Sequence, residues 1–406
     1  MAAPPPPTPK HLIRSHGTQV NVVCFSDDNE RIYSGDAAGT VVVTSTRSLR
    51  AIATWKAHTD GLLGVQEWEA LIITHGRDNK LHVWKAVGEP SRIPGGSAAL
   101  PGLQAPELCY SMDVNALNYC RFSLLSLRRD GRAADRHALI AVPNLVESAH
   151  ADVWTLPGKQ RLHAAIGKAG REQEQEQAAS DGRGVRNPIG IIMSMHLFMV
   201  PHPHSAGRSR LRLLCGYENG SVTMREYAGD KEISIEGRGW DVLWSVRLHV
   251  ESVMAMTVSR DGTFALSVSA DHLVGRYDLV EAERAESLNT ACVAHRTKHP
   301  GNGAVGIRDD GRVCAVGGWD GRVRLYSTKT FKSLGSLVYH KKNCQSVAFA
   351  RSHPADPLNT ATVSAEGYED DDEMSEAEKQ ERTRWLVSGG QDSRVVVWSL
   401  IDFGRT

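Results

Sequence analysis

Two groups of side chains in this sequence combine a histidine, a hydroxyl residue and an aspartate, the residue types of an acyl-transfer triad. One group is His340, Ser388 and Asp392, and the other is His58, Thr74 and Asp78. In a hydrolase, the imidazole would take the proton of the hydroxyl while the carboxylate oriented the ring. A nucleophilic serine of this kind also needs an exposed, sharply turned backbone and an oxyanion hole. No Gly-x-Ser-x-Gly sequence, the usual mark of such a turn, occurs in the chain.

The spacing of these residues favours a structural role instead. In both groups the aspartate lies four residues after the hydroxyl residue and six residues before a tryptophan, Trp84 or Trp398. Both stretches are typical of a strand, a tight turn and a second strand. The imidazole can then bridge the carboxylate and the hydroxyl, while the indole N–H donates to the same hydroxyl. We therefore predict no catalytic residue and no enzyme activity.

A third group, His249, Ser267 and Asp271, carries Tyr277 in the place of the tryptophan. We expect its hydrogen-bond network to be partial, because the indole N–H donor is missing.

Short strands must position all three groups. Apolar runs alternate with Gly, Asp and Asn turns, and helical periodicity is nearly absent. Seven units recur, and each predicts a four-stranded antiparallel blade. The positions equivalent to the tryptophan in successive third strands are Thr44, Trp84, Trp154, Arg225, Tyr277, Tyr326 and Trp398. The predicted fold is therefore all-β: a seven-bladed β-propeller.

The limits of this domain follow from composition. Residues 1–9 are rich in proline and are expected to be disordered, and the propeller is predicted over residues 10–402. Long steps between units indicate insertions at 88–106, 167–187 and 350–384, the last of them acidic. The first strand of the third unit is predicted within residues 116–122. A short N-terminal strand near Leu12 is expected to complete the last blade and close the ring.

The overall composition excludes several classes of function. The chain has 406 residues, and its 47 basic and 47 acidic residues balance, which argues against a general nucleic-acid or membrane surface. It contains no apolar run of about 18 residues, so no membrane span is expected. The seven cysteines are scattered and predict buried, reduced thiols of an intracellular protein.

No metal site and no cofactor are predicted. His202 and His204 alternate with prolines in a stretch without a nearby carboxylate or cysteine, whereas a metal site needs three or four ligands. The glycine pairs at 317–318 and 389–390 precede a β-turn rather than a helix, so they lack the helix N-terminus that holds phosphate.

An acidic segment at residues 366–378 contains eight carboxylates and no basic residue. Two interpretations stay open: a solvated loop, or a contact for a basic partner. Ser375 has Glu378 three residues further on, a spacing that suits an acidophilic kinase, so Ser375 is a candidate phosphorylation site.

The pattern of histidine, hydroxyl, aspartate and tryptophan resembles the WD-repeat superfamily. The whole chain further resembles the ASTRA-associated protein 1 family, fungal relatives of a G-protein-β-like WD protein. This resemblance lies in the segments 12–21, 34–40, 58–61, 73–84 and 317–326, together with the acidic insertion in the last blade. The blades that end in Arg225, Tyr277 and Tyr326 depart from the strict WD ending.

The resemblance implies a non-enzymatic WD-repeat scaffold in the nucleus, with the cytoplasm as a further location. Its partners would be protein subunits of the ASTRA complex, including co-chaperone and AAA-type ATPase components, in chromatin remodelling. The same family is linked to the maturation of kinases related to phosphatidylinositol 3-kinase. No direct nucleic-acid or membrane partner is implied.

Two other functions stay open beside the scaffold: a G-protein-β-like signalling adaptor and a propeller that binds phosphopeptides. Candidate partner contacts are His75, Arg225 and Trp319, because exposed aromatic and arginine side chains often anchor interfaces. For Trp319, packing between blades is the alternative.

Overall fold

The computed structural model describes residues 7–88, 103–127, 137–168, 189–201, 209–229, 231, 233–284, 288–352 and 375–401. Within these residues the chain is almost entirely β-structure, with three short helices: α1 (Glu281–Arg284), α2 (Leu288–Ala291) and α3 (Glu376–Arg382). None of the helices in the described ranges is long and apolar enough to cross a membrane. All seven cysteines are free, and Cys109 is the exposed one.

The strands that precede the fourth sheet are β1 (His11–Ile13), β2 (Val20–Phe25), β3 (Arg31–Asp36), β4 (Thr40–Ser45), β5 (Ala51–Lys56), β6 (Leu62–Trp68), β7 (Leu71–Gly76), β8 (Lys80–Lys85), β9 (Leu108–Asp113), β10 (Ser123–Leu127), β11 (His137–Pro143), β12 (Ala151–Leu156) and β13 (Arg161–Ile166). The remaining strands are β14 (Ile192–Pro201), β15 (Ser209–Tyr217), β16 (Ser221–Tyr227), β17 (Trp240–Arg247), β18 (Val253–Val258), β19 (Phe264–Ser269), β20 (Leu273–Asp278), β21 (Cys292–Arg296), β22 (Asn302–Ile307), β23 (Val313–Gly318), β24 (Arg322–Ser327), β25 (Ser333–Val338), β26 (Cys344–Phe349), β27 (Trp385–Gly390) and β28 (Val395–Ser399).

These strands form seven four-stranded sheets, which confirms the predicted seven-bladed β-propeller fold. Six sheets use four consecutive strands, and their orders are β2 to β5, β6 to β9, β10 to β13, β14 to β17, β18 to β21 and β22 to β25. The seventh sheet has the order β1-β28-β27-β26. In it β1 pairs antiparallel with β28, so that Leu12 lies opposite Val396. The predicted closing strand is therefore confirmed.

The chain divides into two compact units. The first contains residues 1–74, 82–110 and 306–406, and the second contains residues 75–81 and 111–305. In the first unit, one apolar core packs Tyr33, Trp55 and Trp84, and another packs Ile13, Val20 and Trp385 among its members. Strands such as β4 and β28 are buried at consecutive positions, on both faces of their sheets, and their runs of valine suit such strands.

The second unit contains the third, fourth and fifth sheets. One of its cores includes Leu139 and Ala141 of β11 and Trp240 of β17. The other includes Trp244 and Tyr277, whose rings stack with centroids 5.8 Å apart. Tyr277 therefore fills the packing position that a tryptophan was expected to occupy.

The strand predicted within residues 116–122 is wrong. The first strand of the third sheet is β10, which begins at Ser123. The preceding residues form a loop because the buried side chain of Asn118 donates to the carbonyl groups of Ser148 at 2.7 Å and Ile192 at 2.9 Å. Tyr119 has a φ of 57° in this loop, a left-handed conformation that a strand cannot contain.

The last described part of the acidic insertion is ordered as α3, which differs from the loop expected there. Ser375 caps this helix in a reciprocal capping box with Glu378. The buried guanidinium of Arg382 donates through Nε to Thr46 Oγ1 at 3.1 Å. Lys10 Nζ lies 2.5 Å from Glu381 Oε1. Helix α3 is thus fixed to the first and seventh sheets of its unit.

The other domain predictions fall mostly outside the described residues. These comprise residues 1–6 of the predicted disordered start, residues 89–102 and 169–187 of the first two insertions, and residues 353–374 of the acidic one. His202 and His204 also lie outside the described ranges.

Two outer strands carry an additional parallel segment along their free edges. Gln104 forms a parallel bridge with Ala53 of β5, and Ser234 forms one with His163 of β13. At the second edge, Ser234 N donates to the Leu162 carbonyl at 2.8 Å, and Ala164 N donates to the Ser234 carbonyl at 3.0 Å. His163 Nδ1 lies 2.8 Å from Ser234 Oγ, so a buried imidazole joins the segment to the sheet.

The buried imidazole of His163 makes stability depend on pH. Burial, which disfavours the imidazolium, lowers the pKa of His163 to about 4. An unfolded histidine has a pKa of about 6.5, so the unfolded chain binds more protons between these two values. Folding stability is therefore lost as the pH falls from about 6.5 to about 4.

We predict that His163→Gln reduces the loss of unfolding free energy between pH 7 and pH 4.5 by about 2 kcal/mol relative to wild type. Urea denaturation followed by tryptophan fluorescence at the two pH values measures this difference. His272→Gln, at an exposed position, controls for the loss of a histidine. An unchanged pH dependence in His163→Gln would contradict the prediction.

Candidate functional site

The predicted network of the seventh sheet is present in full. Nδ1 of His340 lies 3.0 Å from Asp392 Oδ1, and Nε2 lies 2.9 Å from Ser388 Oγ. Trp398 Nε1 donates to the same hydroxyl at 3.0 Å. A carboxylate can only accept, so Nδ1 carries the proton and Nε2 accepts the O–H of Ser388.

The hydrogen bonds follow the same order as in a catalytic triad. Unlike the serine of a catalytic triad, however, Ser388 is not accessible to a substrate. Ser388 is 0% exposed, and Trp398 is 1% exposed. Burial lowers the pKa of His340, although Asp392 acts in the opposite direction, so the ring is neutral near pH 7. The hydroxyl has no route to an acyl carbon, and the network holds the blade together instead.

The second and fifth sheets contain comparable networks. Thr74 Oγ1 lies 2.8 Å from His58 Nε2 and accepts from Trp84 Nε1 at 2.9 Å. Asp78 lies in the turn after β7, where it accepts from Lys80 N at 3.3 Å.

The network of the fifth sheet is complete rather than partial. Ser267 Oγ lies 2.7 Å from His249 Nε2 and 2.9 Å from the Tyr277 hydroxyl. Nδ1 of His249 lies 3.1 Å from Asp271 Oδ2. The phenol oxygen of Tyr277 supplies the contact that an indole N–H would otherwise make, because a hydroxyl can donate as well as accept.

Sequence reasoning missed a further network in the first sheet. His16 Nε2 lies 2.8 Å from Ser34 Oγ, and His16 Nδ1 lies 3.0 Å from Asp36 Oδ2. Here the aspartate lies two residues after the hydroxyl residue instead of four, and Thr44 stands in the tryptophan position. The separation of 18 residues between His16 and Ser34, which equals that between His249 and Ser267, was the available signal.

Glycines pack closely against the backbone of two of these histidines. Gly321, in the turn after β23, has a φ of 78°, and a side chain there would collide with the carbonyl oxygen of His340. Gly220 lies in the same relation to His249, whose N–H donates to the Gly220 carbonyl at 3.3 Å. Only glycine permits this approach with a left-handed backbone.

Two of the three predicted partner contacts are buried, so they are not the exposed side chains that the prediction assumed. His75 is 0% exposed and Arg225 is 6% exposed. Neither can serve as an exposed anchor. Trp319 is 42% exposed in the turn before β24, so its role as a contact stays a prediction. Ser375 is exposed at the start of α3, and its phosphorylation also stays a prediction.

An exposed apolar surface lies on two loops of the second unit. It consists of Leu117, Tyr119, Leu145 and Val146, and we call it the apolar loop pair. Val146 is 93% exposed and Leu117 is 73% exposed. Beside it lies a cleft of about 470 Å³ lined by Asp78, Asn79, Lys80, Asp113, Val114, Asn115, Leu117 and Leu145.

Buried asparagines hold the apolar loop pair in place. Asn115 Nδ2 donates to the Asn144 carbonyl at 2.7 Å and to Ser148 Oγ at 3.0 Å. Asn144 in turn accepts from the N–H groups of Val146 and Glu147 at 2.9 Å each. The guanidinium of Arg77 lies 4.3 Å from the centre of the Tyr119 ring. The exposed side chains are thus presented on ordered loops, which lowers the entropy that binding would cost.

Comparison with known proteins extends the likeness beyond single repeats. Residues 7–45 match the family described as WD domain, G-beta repeat. An ASTRA-associated protein 1 of Verticillium alfalfae is 33% identical over 416 residues, which cover 98% of this chain and 94% of that protein. ASTRA-associated protein 1 of Penicillium rubens is 29% identical, with 97% and 98% covered. Guanine nucleotide-binding protein subunit beta-like protein 1 of Mus musculus is 24% identical, with 98% and 97% covered.

We predict that Asp392→Ala lowers the free energy of unfolding by about 1–3 kcal/mol, because the Nδ1–H group of His340 is left buried without an acceptor. Thermal or urea denaturation measures the effect. Asp241→Ala removes an exposed carboxylate of β17 and should leave stability within about 0.5 kcal/mol of wild type. Equal stability of Asp392→Ala and wild type would show that this network does not support the blade.

Proposed function

Because the chain belongs to the ASTRA-associated protein 1 family of WD-repeat proteins, we propose that it is a non-enzymatic scaffold subunit of the ASTRA complex and takes part in chromatin remodelling. We further propose that it works with the co-chaperone assembly that matures kinases related to phosphatidylinositol 3-kinase. Its partners are protein subunits, including co-chaperone and AAA-type ATPase components, and its location is the nucleus. The names of its relatives support the first part of this proposal.

The burial of the hydroxyl networks supports a function without catalysis. Ser34, Thr74, Ser267 and Ser388 are the hydroxyl residues of the four networks, and each is 0% exposed. The arrangement that most resembles an active site therefore serves the fold, as in a protein whose function lies on its loops.

The observation that carries the proposal of protein docking is the apolar loop pair. An exposed apolar group on ordered loops, beside a cleft with charged walls, has the composition of a protein–protein contact. We propose that a protein subunit of the complex places apolar side chains on this surface.

We predict that the double substitution Leu117→Asp and Val146→Asp removes one or more subunits that copurify with the full chain from its native cells. Two carboxylates on this surface would have to lose their hydration against an apolar partner, which costs several kcal/mol. Affinity purification with quantitative mass spectrometry measures the loss. The melting temperature should stay unchanged, because both side chains are exposed.

Val293→Asp together with Val338→Asp forms the matched control, since these residues are 39% and 45% exposed on other strands. If the control pair loses the same subunits as the loop pair, the docking surface is placed wrongly. If the wild-type chain copurifies with no large multisubunit assembly, the scaffold function itself is wrong.

A further inference from the structure

Three neighbouring turns of the sixth and seventh sheets present a basic surface in the first unit. They are the turn between β23 and β24, the loop between β25 and β26, and the turn between β27 and β28. All but one of the side chains that form this surface are exposed, and the last is half-buried. We call them the basic turn surface, which consists of Trp319, Arg322, Lys341, Lys342 and the half-buried Arg394.

Backbone contacts join the three turns. Gly321 has a φ of 78°, and a side chain there would collide with the carbonyl oxygens of His340 and Lys342. The first turn therefore lies directly against the loop that carries the two lysines. Gln391 N donates to the Asn343 carbonyl at 2.8 Å, so the third turn contacts the same loop. The cations of the three turns thus belong to one continuous surface.

The two carboxylates of these turns are already paired. Asp320 accepts from Nη1 of the buried Arg324 at 3.1 Å. Asp392 lies 3.0 Å from His340 Nδ1 and accepts from Lys341 N at 3.2 Å. Residues 319–324, 339–343 and 391–394 contain five cationic side chains and two carboxylates, whereas the charges of the whole chain balance. These turns therefore carry a net positive charge that can attract an acidic group.

Trp319 adds an aromatic side chain to this surface, and its turn is ordered. Gly321 N donates to the Gly318 carbonyl at 3.1 Å, which closes the turn. Arg324 holds the carboxylate of the next residue, Asp320. An exposed tryptophan on an ordered turn offers a large apolar area at a small cost in entropy, and tryptophan is enriched at interfaces.

The distribution of the cations suits several carboxylates better than one phosphate. Phosphate is commonly bound by the paired donors of an arginine, and the most enclosed guanidinium here, that of Arg324, is bound to Asp320. Lys341 and Lys342 are exposed, and each ammonium group is a separate point charge. The other cations lie on three turns, so an extended segment with several carboxylates can face them together.

We propose that the basic turn surface docks an acidic segment of a protein partner, in which carboxylates face the four cations and an apolar side chain contacts Trp319. This inference adds a second contact to the proposed scaffold function and states the chemistry of the segment that binds there. The apolar loop pair belongs to the second unit and accepts apolar side chains, whereas this surface belongs to the first unit and selects by charge.

The test measures binding of a short fluorescein-labelled peptide, rich in glutamate and containing two leucines, to the purified full chain by fluorescence anisotropy. The combination of Lys341→Gln and Lys342→Gln should weaken binding about fivefold at low ionic strength and less at high ionic strength, because two surface charges are lost. Trp319→Ala keeps the charge and should weaken binding about tenfold, because an aromatic anchor is truncated. Trp319→Phe should retain most of the affinity.

The matched control combines Lys329→Gln and Lys332→Gln. These lysines are exposed in the turn between β24 and β25, at the opposite end of β24. The control removes the same charge and should leave the Kd of the peptide unchanged. A peptide with glutamine in place of glutamate should not bind.

Four outcomes would overturn the proposal. They are no binding of the glutamate peptide to wild type, equal losses in the two lysine pairs, full affinity in Trp319→Ala, and tighter binding of a labelled single-stranded oligonucleotide than of the peptide. Because the assay contains only the chain and the probe, its failure leaves the copurification test of the scaffold function unaffected.

Discussion

A hydroxyl group inside a β-sheet blade must find its hydrogen bonds within the protein, and in this chain a histidine from outside the sheet provides them. The distance between imidazole Nε2 and hydroxyl oxygen is 2.8 Å in the first sheet, 2.8 Å in the second, 2.7 Å in the fifth and 2.9 Å in the seventh. In each case the hydroxyl belongs to the second strand of its sheet, and the histidine precedes the first strand. The bond therefore fixes the incoming loop to the sheet. Without it, the buried imidazole Nε2 in each of these four networks would lack this hydrogen bond.

The third and fourth sheets lack this network and contain other polar contacts. In the third sheet, Asn115, Asn118 and Asn144 fix the loops through amide-to-carbonyl bonds, and apolar side chains remain outside. In the fourth, Arg225 stands where five other sheets place an aromatic ring, and it donates a hydrogen bond to the Tyr217 hydroxyl. Both features lie in the second unit, at positions where the repeat pattern has decayed.

Much of the fold could be predicted from the sequence, because the same pattern of strands and turns recurs in seven units. Alternating apolar runs and the aspartate turns located seven units, and the separate strand near Leu12 predicted the closing pair with β28. The first strand of the third sheet could not be located. An apolar run from Ala116 to Phe122 resembles a strand, and only the buried contacts of Asn118 exclude one. Such contacts join residues that are far apart in the chain, as in the bond from Asn118 to Ile192, so no local pattern reveals them.

The candidate sites were harder to predict for the same reason. The networks of His340 and His58 follow a fixed spacing, whereas that of His16 uses an aspartate at another position. The residue types of His75 and Arg225 did not reveal that both side chains are buried. Burial of a histidine or an arginine depends on the side chains that pack around it in the fold. The apolar loop pair was missed, since its four residues belong to two loops that are separated in sequence, and the asparagine contacts that hold these loops join distant residues.

The parallel segments at Gln104 and Ser234 have a consequence for how other proteins can be recognised. An outer strand with free N–H and C=O groups can accept an extended peptide from another molecule as an additional strand. Along β5 and β13 the chain's own backbone already occupies bonding positions. Strand addition is thus obstructed at these two edges, and a partner that approaches them must be selected by side-chain contacts rather than by the backbone pairing that any peptide could offer.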